Sequence, residues 1–589
     1  MSKLEALRSS MRLHRIDAII IPSSDPHQSE YVAAHWKDRE YISGFTGSAG
    51  LCVVSQDEAL LWTDSRYFLQ AEMELEGSGF RLQKLTNQFA PEHIEWIKSK
   101  FPNGATVAID AFDFSVNQFR MLNKELEKVN IFLETSLDLM SEVWIDRPSL
   151  SKAPISIQDI TFAGAGILDK ISEVKKKMLE VGSDHYLVTA LDDIAWLLNI
   201  RGQDVAFNPV VVSFVCVNLK ETHFFVDTEK IDSSVESHLR AAGIIIHGYD
   251  EISAFLNSLA EDDTLLLDAN ECNVKLQKAI NCRIQEKESL IKHLKCIKNN
   301  TELESIRAAM VKDGVALANA FYWLEQTLPF RPVSEAEFGS VIGSQRAKQE
   351  NYVGESFAAI VGYGPNGAII HYHPTEANCA MIRNEGVLLC DCGAQYKEGT
   401  TDITRTIALS KPTDTIKRHF TLVLKGHIGI NLSVFPDGTA GAQIDILARQ
   451  HLWEEGLNYQ HGTGHGVGAY LNVHEGPQGI AAINTERGRT ALRPGMVTSN
   501  EPGYYLDGFY GIRIENLVVT KVHLQHHGFL CFEVLSLYPL DFDLIYETML
   551  SGKEKLWLNK YQSEVYERIH PFLSDEVKTW FKFKCRVFN

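Results

Sequence analysis

Apolar and polar positions in the first half of the chain change between two periods, and the same order of elements occurs twice. Apolar residues at helical spacing indicate amphipathic helices, whereas short continuous apolar runs are typical of buried strands. The pattern predicts a helix, a strand, a glycine-containing turn and a strand pair ending at an aspartate, first at residues 4–14, 17–21, 41–50, 51–55 and 59–64. The order returns at residues 167–181, 185–189 and 198–202, followed by two strands that end at Asp227. We interpret it as a tandem duplication of one α/β unit.

The second half of the chain shows a different pattern. Residues 302–324 carry apolar side chains at helical spacing, and Pro329 and Pro332 end the predicted helix. Glycine-rich strand pairs follow, and residues 553–583 read as one or two amphipathic helices. The pattern therefore predicts three domains, at residues 1–154, 155–288 and 289–589.

Composition limits the classes of function. The chain has 589 residues, too many for one hydrophobic core, and a formal net charge of −19. No Lys/Arg run offers a nucleic-acid footprint, and the longest apolar runs are strand-length, so we expect neither a nucleic-acid partner nor a membrane span. The first residues lack the apolar segment of a signal peptide, and ten cysteines are scattered along the chain. We therefore expect a cytoplasmic protein with reduced thiols.

Two glutamates are predicted to face each other across a hairpin. Glu501 and Glu515 are separated by a segment whose midpoint is Gly508, and the surrounding Tyr505-Leu-Asp-Gly-Phe509 is a turn signal between apolar strands. A hairpin centred there brings both carboxylates to one face. Asp391 and Asp402 flank a similar turn signal at Lys397-Glu-Gly399, so a second hairpin is expected to pair them in the same way.

These carboxylates, together with His465, form a candidate metal centre. Like charges within a few ångströms raise carboxylate pKa values and destabilise a fold, so a buried cluster needs cations. Two divalent ions would cancel the formal charge of the four acids, and ions that lie about 3.5–4 Å apart need a bridging carboxylate. Oxygen ligands with one imidazole suit Mn²⁺ or a similar ion better than a structural zinc. Taken one at a time, each acid could instead be an ordinary solvated residue.

The order Asp, Asp, His, Glu, Glu resembles that of the pita-bread metallohydrolases, which include methionine aminopeptidases, prolidases and Xaa-Pro aminopeptidases. Several segments look most like those of three-domain aminopeptidase P: residues 361–372, 393–402, His461-Gly-Thr-Gly-His-Gly466, residues 471–477 and Gly511-Ile-Arg-Ile-Glu-Asn516. The resemblance implies an α+β protein with two duplicated creatinase-like α/β N-terminal domains, followed by a C-terminal pita-bread metallopeptidase domain with a helical extension. Prolidases usually have one N-terminal domain, so the duplication favours the aminopeptidase.

The resemblance also implies roles for individual residues. Asp391 and Asp402 would hold the first metal, Asp402 and Glu515 would bridge both, and His465 and Glu501 would complete the second. The implied catalytic residues are His371, His461, His474 and Glu501, and those implied to bind substrate are His371, His465, His474, Glu501 and Arg66. Each histidine could instead be a hydrogen-bonded structural residue, and Arg66 could simply pair with Asp64. Cys390 and Cys392 point away from the face of Asp391 by strand alternation and are expected in the core.

The implied function is hydrolysis of the first peptide bond of substrates with proline in second position, by attack of a hydroxide held between two Mn²⁺ ions. Relatives suggest a homodimer. Two alternatives stay open, a prolidase-type dipeptidase and a non-catalytic pita-bread binding protein. The segment Gly362-Tyr-Gly-Pro-Asn-Gly367 fits the dinucleotide pattern G-x-G-x-x-G, but residues 368–372 read as a strand where a helix is required.

Overall fold

A computed structural model describes residues 2–86, 91–483 and 485–588. The chain forms two compact units, the first made of residues 1–158 and 165–292 and the second of residues 159–164 and 293–589. None of the helices in the described ranges is both long and apolar enough to cross a membrane.

The first sequence block contains six helices and six strands within its described residues. In chain order they are α1 (Lys3–Leu13), β1 (Ala18–Pro22), α2 (Asp38–Ser43), β2 (Leu51–Ser55), β3 (Ala59–Thr63), α3 (Phe68–Glu74), β4 (Arg81–Lys84), α4 (Glu92–Lys100), β5 (Ala105–Ala108), α5 (Val116–Leu126), β6 (Ile131–Glu134) and α6 (Leu139–Val143). The predicted helix and three predicted strands are confirmed, with ends that differ by one residue at most.

The second block continues the chain order. Its elements are β7 (Ser156–Ile157), α7 (Ile160–Ala163), α8 (Ile167–Val181), β8 (His185–Val188), α9 (Leu191–Leu197), β9 (Ile200–Arg201), β10 (Ser213–Asn218), β11 (Thr222–Val226), α10 (Ser233–Ala241), β12 (Ile244–Gly248), α11 (Ile252–Asn257), β13 (Thr264–Leu267), α12 (Val274–Ala279) and β14 (Arg283–Glu286). The short helix α7 belongs to the second compact unit, although residues 155–288 were predicted as one domain.

The two blocks form sheets of the same topology, which confirms the predicted duplication. The strand orders are β4-β3-β2-β1-β5-β6 and β12-β11-β10-β8-β13-β14. In both sheets the three central strands are antiparallel and the outer pairings are parallel. Reciprocal backbone bonds join the starts of the equivalent helices α5 and α12. The Val116 amide donates to Cys272 O at 2.9 Å, and the Val274 amide donates to Phe114 O at 3.0 Å.

The remaining elements complete the second unit. They are α13 (Lys292–Lys295), α14 (Asn300–Thr327), β15 (Val333–Ser334), α15 (Glu335–Arg346), β16 (Tyr352–Glu355), β17 (Ile360–Tyr363), β18 (Met381–Ile382), β19 (Val387–Cys392), β20 (Ala394–Tyr396), β21 (Gly399–Thr400), β22 (Ile403–Ala408), α16 (Asp414–Asn431), β23 (Val434–Pro436), α17 (Gly441–Trp453), β24 (Gly464–His465), β25 (Gly479–Ile480), α18 (Glu486–Arg489), β26 (Val497–Asn500), β27 (Gly503–Leu506), β28 (Tyr510–Arg513), β29 (Asn516–Val522), β30 (Phe529–Val534), α19 (Gly552–Ile569) and α20 (Asp575–Lys584).

The long helix α14 lies in the main core of this unit. Its apolar residues Ile306, Met310, Leu317, Phe321 and Leu324 are all buried, as their helical spacing predicted. The side chain of Asn299 caps its first turn, and Glu302 completes a capping box. The helices α19 and α20 confirm the amphipathic tail and bury apolar side chains in the same core.

The predicted strand at residues 368–372 is wrong. Residues Gly364–Ala368 form a 3₁₀ helix, and the following residues are irregular. Pro365 at the start of the 3₁₀ turn has no amide hydrogen to give to a strand ladder, and its fixed φ suits a helical turn. Although the predicted strand is wrong, this described region also lacks the helix that a nucleotide-binding G-x-G-x-x-G segment requires.

Candidate active site

The hairpin predicted around Gly508 is confirmed, and it places Glu501 opposite Glu515. Strands β27 and β28 pair Gly503 with Arg513, and β26 and β29 pair Asn500 with Asn516. Both ladders share one register, and continuing it across the gap sets the two glutamates against each other. Residues directly opposite on an antiparallel pair project from the same face. Gly508 occupies the turn with φ +74°, a conformation that favours glycine.

The second predicted hairpin is also present, but its register is shifted. Strands β19 and β22 pair Asp391 with Thr404, and the turn at Lys397-Glu398 connects β20 to β21. Asp402 therefore lies two residues before the position opposite Asp391, as a diagonal neighbour. Diagonal neighbours still share a face and lie within reach of carboxylate side chains. The shift changes the pairing without separating the two acids.

His465 joins the acids from a third pair of strands. Its Nε2 lies 3.5 Å from Asp402 Oδ2 and 3.5 Å from Glu501 Oε1. Ligand atoms of Asp402, His465 and Glu515 all lie within 4.8 Å of one another. The His465 amide donates to Ser499 Oγ at 2.9 Å, and that hydroxyl donates to Glu501 at 3.2 Å. The backbone amide of His465 thus contacts Ser499, and its imidazole ring lies close to Glu501, at the end of the same strand.

Burial makes it unfavourable for all the carboxylates of this cluster to be charged at once. Burial raises the pKa of Asp402, and the charges of Asp391 and Glu501 raise it further. The pKa of Glu515 is raised by burial and by Asp402, and that of Glu501 by burial and by Glu515. Within the described residues, Asp391 Oδ1 is buried without a hydrogen-bond partner. Unpaired buried oxygens and mutually repelling acids fit a donor set that binds divalent cations.

Arg513 is a site residue that the sequence reasoning missed. It is 2 % exposed, and its Nη2 and Nε donate to Asp391 Oδ2 at 2.5 and 3.1 Å. Its Nη1 donates to the hydroxyl of Tyr505 at 2.7 Å. Thr404, opposite Asp391, donates to Glu515 Oε2 at 2.7 Å. Arg513 precedes Glu515 by two residues, so strand alternation could have placed both on the same face.

The three predicted cleft histidines belong to segments that contact His465, Tyr505 or Arg513. The rings of His474 and His465 meet edge to face with centroids 4.4 Å apart. His461 Nε2 lies 2.9 Å from the Tyr505 hydroxyl, which Arg513 links to Asp391. His371 follows Ile370, whose carbonyl lies 3.5 Å from Arg513 Nη2. Each histidine is half-buried.

Three other residues singled out in the sequence, Arg66, Cys390 and Cys392, make ordinary structural contacts. Arg66 lies in the first compact unit, where its Nε and Nη2 each donate to Asp64 at 2.8 Å. Its predicted contact with substrate stays a prediction. Cys390 and Cys392 are buried in the hydrophobic core, as strand alternation predicted.

Comparison with known families agrees with this organisation. The profile for "Metallopeptidase family M24" matches residues 304–521, and the profile for its C-terminal region matches residues 528–588. Two profiles for the "Creatinase/Prolidase N-terminal domain" match residues 3–137 and 146–302. The duplicated sheets thus both correspond to creatinase-type N-terminal domains.

Relatives and solved structures cover nearly the whole chain. A "Probable Xaa-Pro aminopeptidase P" from Botryotinia fuckeliana is 41% identical over 98% of this chain and 91% of the relative. Its counterpart from Tuber melanosporum is 39% identical over 99% of this chain and 98% of the relative. The X-prolyl aminopeptidase of Caenorhabditis elegans, described as a cytosolic enzyme with a di-nuclear active site, superposes with a TM-score of 0.94 at 33% identity, covering 100% of both chains. The chain therefore belongs to metallopeptidase family M24, and within it to the Xaa-Pro aminopeptidases.

Proposed function

We propose that this protein is a metal-dependent aminopeptidase that hydrolyses the bond between an N-terminal residue and a proline in second position. The observation that carries the proposal is the buried cluster of Asp402, His465 and Glu515, whose ligand atoms lie within 4.8 Å of one another. The two fungal relatives named above are described as probable Xaa-Pro aminopeptidases, and they match 98% and 99% of this chain.

The donor set fits a pair of divalent cations. Asp391, Asp402, His465, Glu501 and Glu515 would hold them. We propose Mn²⁺, since an oxygen-rich set with one imidazole suits that ion. When bound, such a pair supplies a water-derived nucleophile at neutral pH and polarises the scissile carbonyl.

Glu501 is the proposed proton carrier. The nitrogen that leaves is that of proline, which has no hydrogen in the peptide, so it must receive a proton as the bond breaks. Glu501 Oε1 accepts from Ser499 Oγ at 3.2 Å and lies 3.5 Å from His465. Its carboxylate therefore reaches the reacting region from a fixed position on the hairpin.

The cleft histidines are proposed to bind and orient the substrate. We propose that His474, whose ring packs against that of His465, donates to the carbonyl oxygen as this oxygen gains negative charge. His371 and His461 would line the cleft beside the Arg513 and Tyr505 network, and Arg66 is proposed to reach the substrate. The free α-amino group would sit near Asp391, which would restrict cleavage to the first bond.

The test compares three substrates under two conditions. Purified protein is incubated with a tripeptide that has proline second, a tripeptide of the same length without proline, and an Xaa-Pro dipeptide, with Mn²⁺ and then with chelator. Release of the first residue from the proline tripeptide in Mn²⁺ is expected, with loss in chelator. Cleavage of the dipeptide alone would assign a prolidase, and no metal-dependent cleavage at all would contradict the proposal.

Location and assembly are part of the same proposal. We infer a cytoplasmic homodimer, supported by the family resemblance and by the cytosolic relative of known structure. Sedimentation at several concentrations should give twice the mass of one chain, and metal analysis should give two ions per chain.

A further inference from the structure

A buried carboxylate lies beneath the segment that carries His371. Glu335 is the first residue of α15 and is 0% exposed. The segment above it, residues 363–380, contains the 3₁₀ turn and little other regular structure. Strand ladders therefore do not fix the position of His371, and other contacts must do so.

Neutral groups of that segment converge on Glu335. The amide of Tyr363 donates to Oε1 at 2.7 Å, and the amide of Ala380 donates to Oε2 at 2.7 Å. The hydroxyl of Tyr372 donates to Oε2 at 2.7 Å. The side-chain amide of Asn366 lies 3.1 and 3.0 Å from the two oxygens. One carboxylate thus holds both ends and the middle of the segment.

Such contacts are strong because the acceptor is charged. Hydrogen bonds to an ionised carboxylate are roughly twice as strong as neutral ones. Burial adds to their importance, since a buried charge without partners is unstable. Burial and the contact with Glu335 both raise the pKa of Tyr372, so its hydroxyl keeps the proton that it donates.

The same segment touches the metal-ligand strands. Ile370 O lies 3.5 Å from Arg513, which holds Asp391. A side chain added at Gly511 would meet Gly367 O at 1.7 Å, so strand β28 and the 3₁₀ turn are in direct backbone contact. Displacing the segment from Glu335 would move His371 relative to Asp391.

We propose that Glu335 is a positioning residue that fixes His371 at the edge of the active site through Tyr363, Tyr372 and Ala380. In the part of the chain that the structure describes, no hydrogen bond or ion pair joins the Glu335 side chain to a proposed metal ligand. Glu335 acts by holding the backbone on both sides of the histidine, and the inference rests on the proposed function only for the role of His371 in hydrolysis.

The test is a double-mutant cycle with a matched control. Glu335→Gln keeps the shape but replaces one accepting oxygen with a donor, which opposes the donors of the segment. It should lower kcat about 10- to 100-fold with a small change in KM. Glu335→Gln and His371→Ala together should be no worse than His371→Ala, whereas Glu335→Gln and His474→Ala should be additive. Glu337→Gln, on the same helix but paired with Arg331 at the surface, should behave as wild type.

Tyr372→Phe gives a milder form of the same perturbation. It removes one donor to Glu335 and should lower kcat less than Glu335→Gln does, again without effect in the His371→Ala background. This variant decides the matter if Glu335→Gln does not fold.

A chemical readout separates this inference from the proposed function. Diethyl pyrocarbonate modification, followed by mass spectrometry, should label His371 faster in either variant and His474 at the wild-type rate, whether or not the protein cleaves peptides. Unchanged labelling of His371, or additive losses with His371→Ala, would overturn the positioning role. Inactive wild type with changed labelling would instead contradict the proposed function alone.

Discussion

The predicted metal ligands and the cleft histidines lie on different kinds of backbone. Asp391 lies within a strand, Asp402, Glu501 and Glu515 each lie one residue beyond a strand end, and His465 belongs to a short bridge pair. His371, His461 and His474 lie outside regular elements. Side-chain direction in the first group follows from ladder register, whereas in the second it follows from contacts that are distant in sequence.

Each of the three segments that carry these histidines is held by a buried charged side chain, which we call its anchor. Glu335 holds the segment of His371 through neutral donors. Arg449 donates to His461 O at 2.8 Å and to Tyr459 O at 2.7 Å, and it pairs with Asp445 at 2.7 Å.

The anchor next to His474 consists of three charged side chains. Glu475 follows His474 and is paired with Lys298, and it lies 3.5 Å from Lys295. All three side chains are buried. Strand ladders thus place the proposed metal ligands, whereas buried charged groups place the histidines that are proposed to bind substrate.

The largest effect is expected where the two regions meet, at Arg513. Arg513→Gln removes the guanidinium that is paired with Asp391, and breaking a buried ion pair costs about 3–5 kcal/mol. If that free energy is lost from stabilisation of the transition state, kcat/KM should fall about 150- to 5000-fold. Steady-state kinetics with metal analysis checks this. A variant with near wild-type kcat/KM would show that Arg513 only packs.

A matched glycine pair separates the hairpin from the segment that it touches. Gly511→Ala would place a methyl group 1.7 Å from Gly367 O, so the segment of His371 must move. We expect activity to fall about 100-fold, the scale of a 1 Å misplacement. Gly508→Ala, at the exposed turn with φ +74° and open space around it, should cost about 1–2 kcal/mol of stability and leave kcat unchanged. Equal loss of activity in both variants would contradict the distinction.

Lys298→Met tests the ionic anchor of His474. It removes the closer partner of Glu475 and leaves Lys295 at 3.5 Å, so the loss of stability should stay below the ~3–5 kcal/mol of a fully broken buried pair. We expect kcat to fall about 10-fold as His474 loses its fixed position. Lys521→Met, which removes a surface pair with Glu533, is the control and should change neither melting temperature nor kcat. Wild-type kcat in Lys298→Met would mean that the ions stabilise the fold without placing His474.

A pH dependence is expected for the stability of the metal-free protein, which has no activity to lose. The folded-state pKa values of Asp402, Glu501 and Glu515 are raised, so the folded state holds more protons than the unfolded state above about pH 4. Stability of the chelated protein should therefore fall as pH rises, by about 1.4 kcal/mol per pH unit for each retained proton. Melting temperatures from pH 5 to 8 check this, and Asp402→Asn should show a shallower decline. A chelated wild type that gains stability with pH relative to Asp402→Asn would contradict it.

The sequence predicted which acids the strand ladders bring together. It did not predict the anchors, for a physical reason. A turn signal at Gly508 and strand alternation were enough to set Glu501 against Glu515, because both are local properties of the chain. The diagonal offset of Asp391 and Asp402 was missed, since a two-residue turn at Lys397-Glu398 shifts the register.

The anchors depend on groups that only the folded backbone brings together. Glu335 binds groups 28 to 45 residues later in the chain, and Lys298 and Glu475 are 177 residues apart. No periodicity links such positions, so their partners become visible only in three dimensions. Residues 368–372 were misread as a strand for the same reason, since Ile369 and Tyr372 pack against residues that are distant in the sequence, such as Leu389.

The decisive experiment measures metal content together with activity in Asp402→Ala, with Glu337→Gln prepared in parallel. We expect two ions per wild-type chain, metal-dependent release of the first residue before proline, and loss of both in Asp402→Ala while its circular dichroism spectrum is unchanged. An Asp402→Ala protein that keeps two ions per chain and wild-type activity would contradict the claim that these buried acids exist to bind a cation pair.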